Sequence, residues 1–331
     1  MTTQSDAPAS RQSSQAAQAE TSAPSAEGAP PATLAFSPTD LASIQRTLID
    51  WYGQHGRPLP WRTQPQSPWA ILVCEVMSQQ TPLSRVIPTW EAWMRTWPEP
   101  SDLALASPAE VIVAWERMGY PRRALRLREC AQQIVTQHGG SLPTSREELL
   151  ALPGVGPYTA DAVLAFGFHT RSVVLDTNIR RVLGRWNGIA LPPATATRSE
   201  RERAESFVPL DDEDAWRWNE SIMELGEIVC RAKNPACEEC PAASWCEWKK
   251  AGYPDNGGAR RAQPWNGTMR QARGAIMGVL RQASPQPVEV NQLRAQSKID
   301  QARFDAALRS LLADGLAQQQ EDSGLVGLPT V

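Results

Sequence analysis

Lysine is missing from the first 232 residues of this 331-residue chain, whose first lysine is Lys233. The basic character of that long segment comes from arginine alone, so no side-chain amine in it can form a Schiff base with a substrate. Histidine is also scarce, because the chain has three and the last of them is His169. Imidazole is therefore a poor candidate ligand for a metal bound near the end of the chain.

Long apolar runs are absent as well. No stretch of about 18 consecutive apolar residues occurs, which argues against a membrane-spanning helix. Residues 1–36 are rich in alanine, serine, glutamine, proline and threonine, and they lack the apolar segment of a secretory signal. We expect these residues to form a disordered N-terminal tail, and we expect a cytoplasmic protein.

Charge and length set wide bounds. The formal net charge of −3 argues against a chain that is basic throughout, although it allows a local basic face. Hydrophobic residues make up 41% of the chain, enough for a sizeable core. A chain of 331 residues has room for two domains and a tail.

Helical patterns dominate residues 37–250, and strand patterns are almost absent there. Ser37-Pro38-Thr39-Asp40 is typical of a helix start, because serine caps the first turn and proline fits its first position. We predict an all-α domain over residues 37–250. Its further helices are expected over residues 69–80, 125–137, 158–168, 178–186 and 212–230.

A smaller module is predicted at the end of the chain. Residues 251–267 contain glycine, proline, asparagine and arginine and are expected to be a linker. Residues 268–331 show helical patterns at 273–281, near Val290 and at 301–312. Asp322-Ser323-Gly324 then lies between two short apolar runs, which indicates a hairpin. Three helices and a hairpin suggest a winged-helix-like module.

Four of the six cysteines lie close together, as Cys230, Cys237, Cys240 and Cys246 in the spacing C-x6-C-x2-C-x5-C. Disulfides need an oxidising compartment, and zinc sites more often show two C-x2-C pairs or mixed cysteine and histidine ligands. Four soft thiolate ligands at such short separations favour an iron–sulfur cluster, with a disulfide pair or a structural zinc as alternatives.

A glycine-rich turn connects two of the predicted helices. In Leu152-Pro153-Gly154-Val155-Gly156, both glycines allow positive φ and close approach of another backbone. The free N–H groups of the helix that follows can bind a phosphate. A plain connection between two helices explains the same residues about equally well.

Taken together, the motifs resemble a known family. Leu152–Gly156, then Val174-Leu175-Asp176-Thr177-Asn178, then the cysteine spacing resemble the helix–hairpin–helix DNA glycosylases with an iron–sulfur loop, over residues 38–250. The resemblance implies a two-lobed helical fold and a [4Fe-4S] cluster on the loop 230–246. Within that superfamily the chain looks like the MutY-type adenine glycosylases, in the short form of high-GC Gram-positive bacteria.

The absence of a lysine after the hairpin indicates which branch of the superfamily the chain resembles. Endonuclease III-like members use a lysine two residues after the hairpin, and this position is Tyr158 here. The resemblance therefore implies a monofunctional glycosylase, which hydrolyses the bond to adenine mispaired with 8-oxoguanine or guanine and leaves the strand uncut. Alternatives are a thymine glycosylase for G·T mismatches, against which Glu75 argues, and a non-catalytic iron–sulfur DNA-binding protein.

Two carboxylates match the family's catalytic positions. Glu75 matches the acid that protonates adenine N7 and positions water, and its apolar helix is expected to raise its pKa, although a helix charge reaching solvent is the plain alternative. Asp176 matches the second carboxylate, and it also suits a helix N-cap with a depressed pKa. Tyr158 matches a tyrosine near both, and Asn178 a residue that hydrogen-bonds the glutamate.

The resemblance also implies a base pocket and DNA contacts. Trp61, Arg62 and Glu224 match pocket positions, and Gln80 and Tyr120 match residues that fill the space left by an extruded base. Further DNA contacts are implied for Thr81, Gly154, Gly156, Arg231 and Lys233. Phosphate contacts are expected from clustered arginines, namely Arg122, Arg123, Arg126, Arg128, Arg180, Arg181 and Arg185.

One departure from the family concerns the opposite base. Many members read 8-oxoguanine with a C-terminal nudix-like domain that carries a Phe-Ser-His element. No histidine follows the cysteines here, and residues 268–331 are too few for that domain. We expect a monomer that binds double-stranded DNA at A·8-oxoG or A·G mispairs in the bacterial nucleoid, with no membrane partner.

Overall fold

The structure is a computed structural model that describes residues 36–189, 195–254, 265–320 and 323–330. The predicted N-terminal tail, apart from Phe36, lies outside the described residues. So do residues 255–264 of the predicted linker and residues 321–322 of the predicted hairpin.

The described residues of 36–254 form helices joined by loops and turns, with no strand among them, as the all-α prediction requires. Thirteen α-helices occur in this part: α1 Pro38–His55, α2 Pro60–Thr63, α3 Pro68–Ser78, α4 Leu83–Thr96, α5 Pro100–Leu105, α6 Pro108–Ala114, α7 Arg122–His138, α8 Arg146–Ala151, α9 Pro157–Gly167, α10 Thr177–Trp186, α11 Arg198–Glu205, α12 Asp212–Ile228 and α13 Glu247–Lys250.

Serine caps followed by proline explain where several of these helices begin. Ser37, Ser67 and Ser107 each accept a hydrogen bond from a backbone N–H in the first turn, and each precedes a proline. The helix predicted over residues 69–80 ends two residues early, at Ser78, because Gln80 has φ 55° and cannot continue an α-helix.

Two hydrophobic cores divide the helical part into lobes. One core contains Leu72 and Val76 of α3 with side chains from α4 to α9, and the other contains Ile179 and Val182 of α10 with side chains from α1 and α12. Helix α9 belongs to both, since Val163 faces the first core and the alanines beside it face the second. The two-lobed prediction is confirmed, and α9 joins the lobes.

The end of the chain forms three helices and a small sheet, as the sequence predicts. The helices are α14 Met269–Ala283, α15 Val290–Ser297 and α16 Gln301–Ala313. The strands β1 Val288–Glu289, β2 Gln318–Gln319 and β3 Leu325–Gly327 are antiparallel in the order β1-β3-β2, with Val288 opposite Val326. We call residues 265–330 the C-terminal module.

The C-terminal module shares its core with the helical part. Ile112 of α6 is fully buried within the module's hydrophobic cluster, and Ala109 and Leu125 pack against the same cluster. Leu34–Val331 accordingly forms one compact unit. The boundaries proposed at residues 250 and 268 stay predictions.

None of the described helices is both long and apolar enough to span a bilayer.

Candidate active site

A cavity of about 290 Å³ opens between the lobes. Its wall comes from α2 and the loop after it, from α3, from the end of α9 and from α12. The lining residues are Trp61, Arg62, Thr63, Gln64, Pro65, Gln66, Ile71, Cys74, Glu75, Phe166, His169, Trp216, Glu220 and Met223. Apolar walls with a few charged groups are typical of a pocket for a small flat ligand.

Glu75 lies in the wall of this cavity, on the apolar helix α3. Its carboxylate accepts a hydrogen bond of 2.6 Å from the hydroxyl of Tyr158 on α9. Burial raises the pKa of Glu75 to about 7, although the Tyr158 hydrogen bond and the charge of Arg62 oppose the rise. The expected upward shift of the Glu75 pKa is therefore present, and near neutral pH a large fraction of this carboxyl group carries its proton.

Asp176 caps helix α10 and is electrostatically coupled to Glu75. Its Oδ1 accepts a hydrogen bond of 2.6 Å from the backbone N–H of Ile179, and its charge helps to raise the pKa of Glu75. The predicted N-cap is confirmed. The predicted depression of its pKa is wrong, because burial raises the pKa of Asp176 more than the backbone hydrogen bonds and the charge of Arg181 lower it.

The resemblance implied that Asn178 hydrogen-bonds Glu75, but the structure does not show this bond. Its Nδ2 donates to Glu227 at 3.3 Å, and its Oδ1 accepts from Arg181 at 2.7 Å. Among the described residues, the hydrogen bond that Glu75 accepts comes from Tyr158. A Cβ added at Gly226 would lie 2.7 Å from the Cβ of Asn178, so this glycine lets α12 pack closely against the start of α10.

Glu224 does not line the cavity, contrary to expectation. It is fully buried, and its carboxylate accepts from Arg57 at 2.9 Å and from Arg62 at 2.8 Å. These two arginines lower the pKa of Glu224 although burial opposes them. Glu224 therefore fixes Arg62, which does lie in the cavity wall as expected. Trp61 lies there too and packs edge-on against Trp90 at 5.4 Å.

Glu220 occupies the pocket position that we had assigned to Glu224. Its carboxylate accepts a hydrogen bond of 2.9 Å from Tyr52 and lies 3.5 Å from the Nε of Arg62. Burial raises the pKa of Glu220 against the charge of Arg62. Residues four apart share one helix face, so the spacing of Glu220 and Glu224 could have suggested both.

Two aromatic residues of the wall were also missed. His169 has φ 51° and stacks on Trp216, with ring centroids 4.6 Å apart and an interplanar angle of 16°. They come from the end of α9 and from α12, so no local pattern announces the contact.

A second, open cavity lies at the surface beside α3 and is lined by Gln79, Gln80, Tyr120, Arg122, Arg123 and Arg126. Gln80 and Tyr120 are both exposed, and both have positive φ, at 55° and 46°. Residues other than glycine in this conformation often occur at functional sites. The structure thus brings the two proposed base-replacing residues to one surface.

Thr81 lies beneath that surface, not on it. Its side chain is buried, and its hydroxyl donates to Met118 O at 3.2 Å and accepts from Arg123 at 3.1 Å. Arg123 also donates to the backbone oxygen of Gln79 at 2.7 Å. The DNA contact implied for Thr81 and the phosphate contact expected of Arg123 are therefore not supported, since both side chains hold the loops together from inside.

Several other arginines are likewise engaged within the protein. Arg128 donates to Ala106 O, Arg180 pairs with Glu200, and Arg181 donates to Cys230 O. Arg126 is exposed. These internal contacts leave Arg126 as the better-placed phosphate ligand on α7, since Arg122, although exposed, lies 3.2 Å from the carboxylate of Asp314.

The two hairpin glycines differ in their backbone. Gly154 has φ 81°, and a Cβ there would lie 3.3 Å from the Cβ of Arg126, so glycine is needed. Gly156 has φ −100° and ψ 178°, extended values that any residue adopts, so the expected positive φ is absent. Gly156 is the N-cap of α9, and no atom would lie within 4 Å of a Cβ there, which leaves the helix N-terminus open.

The four clustered cysteines are free thiols that line one small cavity, together with Arg185, Trp186, Val229, Ala243, Trp248 and Lys249. Arg185 donates to Cys230 Sγ at 3.2 Å, and its guanidinium lies 4.4 Å from the ring centroid of Trp248. In the described ranges, no three or more histidine, cysteine, aspartate or glutamate side chains are close enough to hold a metal ion. Four thiols around one apolar cavity nevertheless have the donor chemistry of an iron–sulfur cluster.

Comparisons with known proteins identify the class to which this chain belongs. Residues 73–207 match the family model described as HhH-GPD superfamily base excision DNA repair protein. A solved structure of a thermostable thymine-DNA glycosylase is similar in fold, with a TM-score of 0.59 and 25% identity over 64% of this chain and 97% of that one. The class of protein is therefore a helix–hairpin–helix base excision repair protein.

Closer relatives narrow the class. The chain is 46% identical over 285 residues to the adenine DNA glycosylase of Mycobacterium tuberculosis strain H37Rv. The aligned residues cover 85% of this chain and 92% of that protein. It is 36% identical over 215 residues to the human adenine DNA glycosylase, covering 62% of this chain and 39% of that protein. The chain belongs to the adenine DNA glycosylase family, which confirms the adenine-specific interpretation of the sequence over its alternatives.

Proposed function

We propose that the protein hydrolyses the N-glycosidic bond of adenine mispaired with 8-oxoguanine or guanine and leaves the DNA strand intact. The observation that carries the proposal is Glu75, whose pKa of about 7 places a proton donor in the wall of a base-sized cavity at neutral pH. The hydroxyl of Tyr158 positions this carboxyl group through a hydrogen bond of 2.6 Å.

Glu75 supplies the proton in this mechanism. Adenine is a poor leaving group as an anion, and protonation at N7 lets it leave neutral. A general acid works best when its pKa lies near the working pH, which burial achieves for Glu75. Once ionised, Glu75 can orient the water that attacks the sugar.

Asp176 stabilises the positive charge that develops on the sugar. Such hydrolysis passes through an oxocarbenium-like state, which a fixed carboxylate favours. The hydrogen bond from Ile179 fixes the Asp176 carboxylate at the first turn of α10. Asp176 therefore needs no reorganisation when the charge appears.

Base recognition is assigned to the opposite wall of the cavity. Glu220 can accept a hydrogen bond from the exocyclic amine of adenine, and Trp61 offers a flat apolar face. Arg62 joins them and is held by Glu220 and Glu224. This ring of buried charges keeps the wall rigid while the base enters.

DNA binding is assigned to the surface around the cavities. Gln80 and Tyr120 fill the space left by the extruded base, and Gly154, with the open N-terminus of α9 at Gly156, faces a phosphate. Exposed Arg231 and Lys233, in the loop after α12, add phosphate contacts. We propose that the enzyme acts as a monomer on the DNA of the nucleoid.

We further propose that Cys230, Cys237, Cys240 and Cys246 hold a [4Fe-4S] cluster. When bound, the cluster supplies a rigid anchor for the loop that carries Arg231 and Lys233. Arg185 donates to both Cys230 and Arg231 and belongs to α10, the helix that Asp176 caps. The cysteine loop is thereby tied to the helix that Asp176 caps.

Replacing a proposed ligand is expected to remove iron selectively. Cys246→Ala should lose most of the iron and sulfide found in the purified protein and weaken DNA binding, whereas Cys130→Ala should retain both. Both thiols are buried, but Cys130 lies in the core of the other lobe. Metal analysis, melting curves and duplex titrations check this, and full iron content in Cys246→Ala would refute the ligand assignment.

The reaction type is tested with duplexes that hold A·8-oxoG, A·G, T·G or thymine glycol. Each is incubated with the protein, and half of each sample is then treated with alkali. We expect product from the first two duplexes, with strand breaks only after alkali, because residues 1–232 contain no lysine for a Schiff base. Breaks without alkali, or cleavage of T·G alone, would overturn the proposal.

A further inference from the structure

The loop that carries Tyr120 is held in an unfavourable backbone conformation. We call residues 115–121, between α6 and α7, the wedge loop. Glu116, Gly119 and Tyr120 have φ values of 45°, 77° and 46°. For residues other than glycine such values are unfavourable, so they persist only where neighbouring groups impose them.

The inner side of the wedge loop is held by the lobe to which it belongs. Trp115 is fully buried and donates from its indole nitrogen to Gly119 O at 2.9 Å. Arg123 donates to Met118 O at 3.3 Å and to Gly119 O at 3.2 Å. These contacts fix the base of the loop, and the guanidinium of Arg123 also lies 5.8 Å from the ring centroid of Tyr120, whose side chain is exposed at the end of the loop.

The outer side of the wedge loop is held by the C-terminal module. Ile112 of α6, just before the loop, is fully buried in the module's core, and Leu125 of α7, just after the loop, packs against it. The module therefore grips both helices that flank the loop.

Asp314, directly after α16, makes a polar contact across this interface. Its Oδ1 lies 3.2 Å from Arg122 Nη1, and its Oδ2 lies 2.7 Å from Arg273 Nη2 of α14. Arg122 also lines the open cavity with Tyr120. Arg273 is further tied to Ser310 of α16, so the Asp314 carboxylate is held from its own side and presents its other oxygen to Arg122.

We propose that the C-terminal module is a positioning element for base extrusion, with Asp314 setting the place of Arg122 and hence of Tyr120. The inference rests on the proposed function, because it assumes that Tyr120 enters the duplex. Asp314 is a positioning residue that acts through Arg122.

The expected effect is on a rate and hardly on stability. The side chains of Arg122 and Asp314 are 58% and 25% exposed, and ion pairs with such exposure contribute little to folding. Displacing the loop by a fraction of an ångström, in contrast, changes how often the wedge enters a base pair correctly. Extrusion costs most for a well-paired base, so the defect should grow with the stability of the pair.

The test compares Asp314→Asn with Asp305→Asn. Asp305 lies within α16 and is half-buried like Asp314, but the described residues show no ion pair for it. Single-turnover adenine release is measured on an A·G duplex and on a duplex with the adenine opposite an abasic analogue. A 2-aminopurine placed beside the adenine reports unstacking by stopped-flow fluorescence. We expect Asp314→Asn to slow both unstacking and adenine release on the A·G duplex roughly three- to tenfold. Its effect should be smaller when the adenine stands opposite the abasic analogue. Asp305→Asn should match the wild type on both duplexes.

A double-mutant cycle with Arg122→Gln adds a test of the route. If Asp314 acts through Arg122, Asp314→Asn should have little further effect once Arg122 is replaced. Equal slowing on both duplexes, unchanged unstacking, or full additivity with Arg122→Gln would each overturn the inference. A wild-type protein that unstacks the base without releasing adenine would refute the proposed function alone. The fluorescence signal reports unstacking whether or not the glycosidic bond is cleaved, so the variants could still be compared.

Discussion

Changing Glu75 to glutamine is expected to lower single-turnover release of adenine roughly 10²- to 10⁴-fold, the range that a positioned general acid contributes. Glutamine keeps the shape of the side chain and can still accept the hydrogen bond from Tyr158, but it has no acidic proton to donate to adenine N7. Affinity for an A·8-oxoG duplex should be unchanged within about twofold, because binding does not depend on that proton. Quenched-flow release and a duplex titration measure the two quantities.

Stability provides an internal control for this variant. The folded-state pKa of Glu75 lies above its usual value of 4.5, so ionisation opposes folding between pH 4.5 and 7 and is fully unfavourable above that. At pH 8 the unfolding free energy of Glu75→Gln should therefore exceed that of the wild type by at most about 3 kcal/mol, and its melting temperature should be higher. At pH 4 the variant should be no more stable than the wild type. Slow adenine release in a protein that is at least as stable cannot be ascribed to misfolding.

Glu220→Gln is the matched comparison, because Glu220 is a second carboxylate in the same cavity. It is bound by Tyr52 and lies beside Arg62, so it is placed to recognise the base and not to protonate it. We expect its effect on the chemical step to be far smaller than that of Glu75→Gln. Equal losses in the two variants would mean that charge in the pocket matters and that Glu75 has no special role.

Asp176→Asn is expected to reduce the same rate roughly 10²- to 10³-fold without unfolding the protein. Asparagine caps helices about as well as aspartate, so the hydrogen bond to the N–H of Ile179 can persist while the charge is lost. Burial raises the pKa of Asp176, so losing its charge should leave the protein no less stable at neutral pH.

Asp176→Ala separates the two roles of this residue. Alanine removes both the charge and the cap, and losing the cap costs about 1 kcal/mol. The alanine and asparagine variants should therefore share one rate defect but differ in melting temperature. Normal activity of Asp176→Asn together with a defect in Asp176→Ala would reduce Asp176 to a helix cap.

What the sequence could predict was local or carried by the family resemblance. The cap at Ser37, the hairpin between β2 and β3 and the apolar surroundings of Glu75 all depend on residues near in the chain. The cysteine spacing likewise identified four thiols that the structure places around one cavity.

What the sequence could not predict depended on contacts between distant segments. Glu220 and Glu224 lie on one face of α12 and both lie beside Arg62, and only the folded position of Arg57 shows that Glu224 is the one held by two arginines. The sequence predicts Arg123 as a phosphate ligand, but in the folded protein its guanidinium donates to the backbone oxygen of Gln79 in the loop after α3.

The pKa of Asp176 shows the same limit in electrostatic form. An exposed N-cap has a depressed pKa, because the N–H groups of the first turn favour its charge. Here burial is the larger effect, and it raises the pKa instead. That burial exists only in the folded protein, so no local pattern could give that sign.

The pH dependence of single-turnover adenine release tests the central claim most directly. Saturating enzyme and an A·8-oxoG duplex are used from pH 5.5 to 9, with Glu75→Gln as the reference. If Glu75, with its pKa of about 7, must be protonated to act, the rate should fall about tenfold per pH unit above that value, and the residual rate of Glu75→Gln should not show this fall. A wild-type rate that stays constant or rises from pH 7 to 9 would contradict the account.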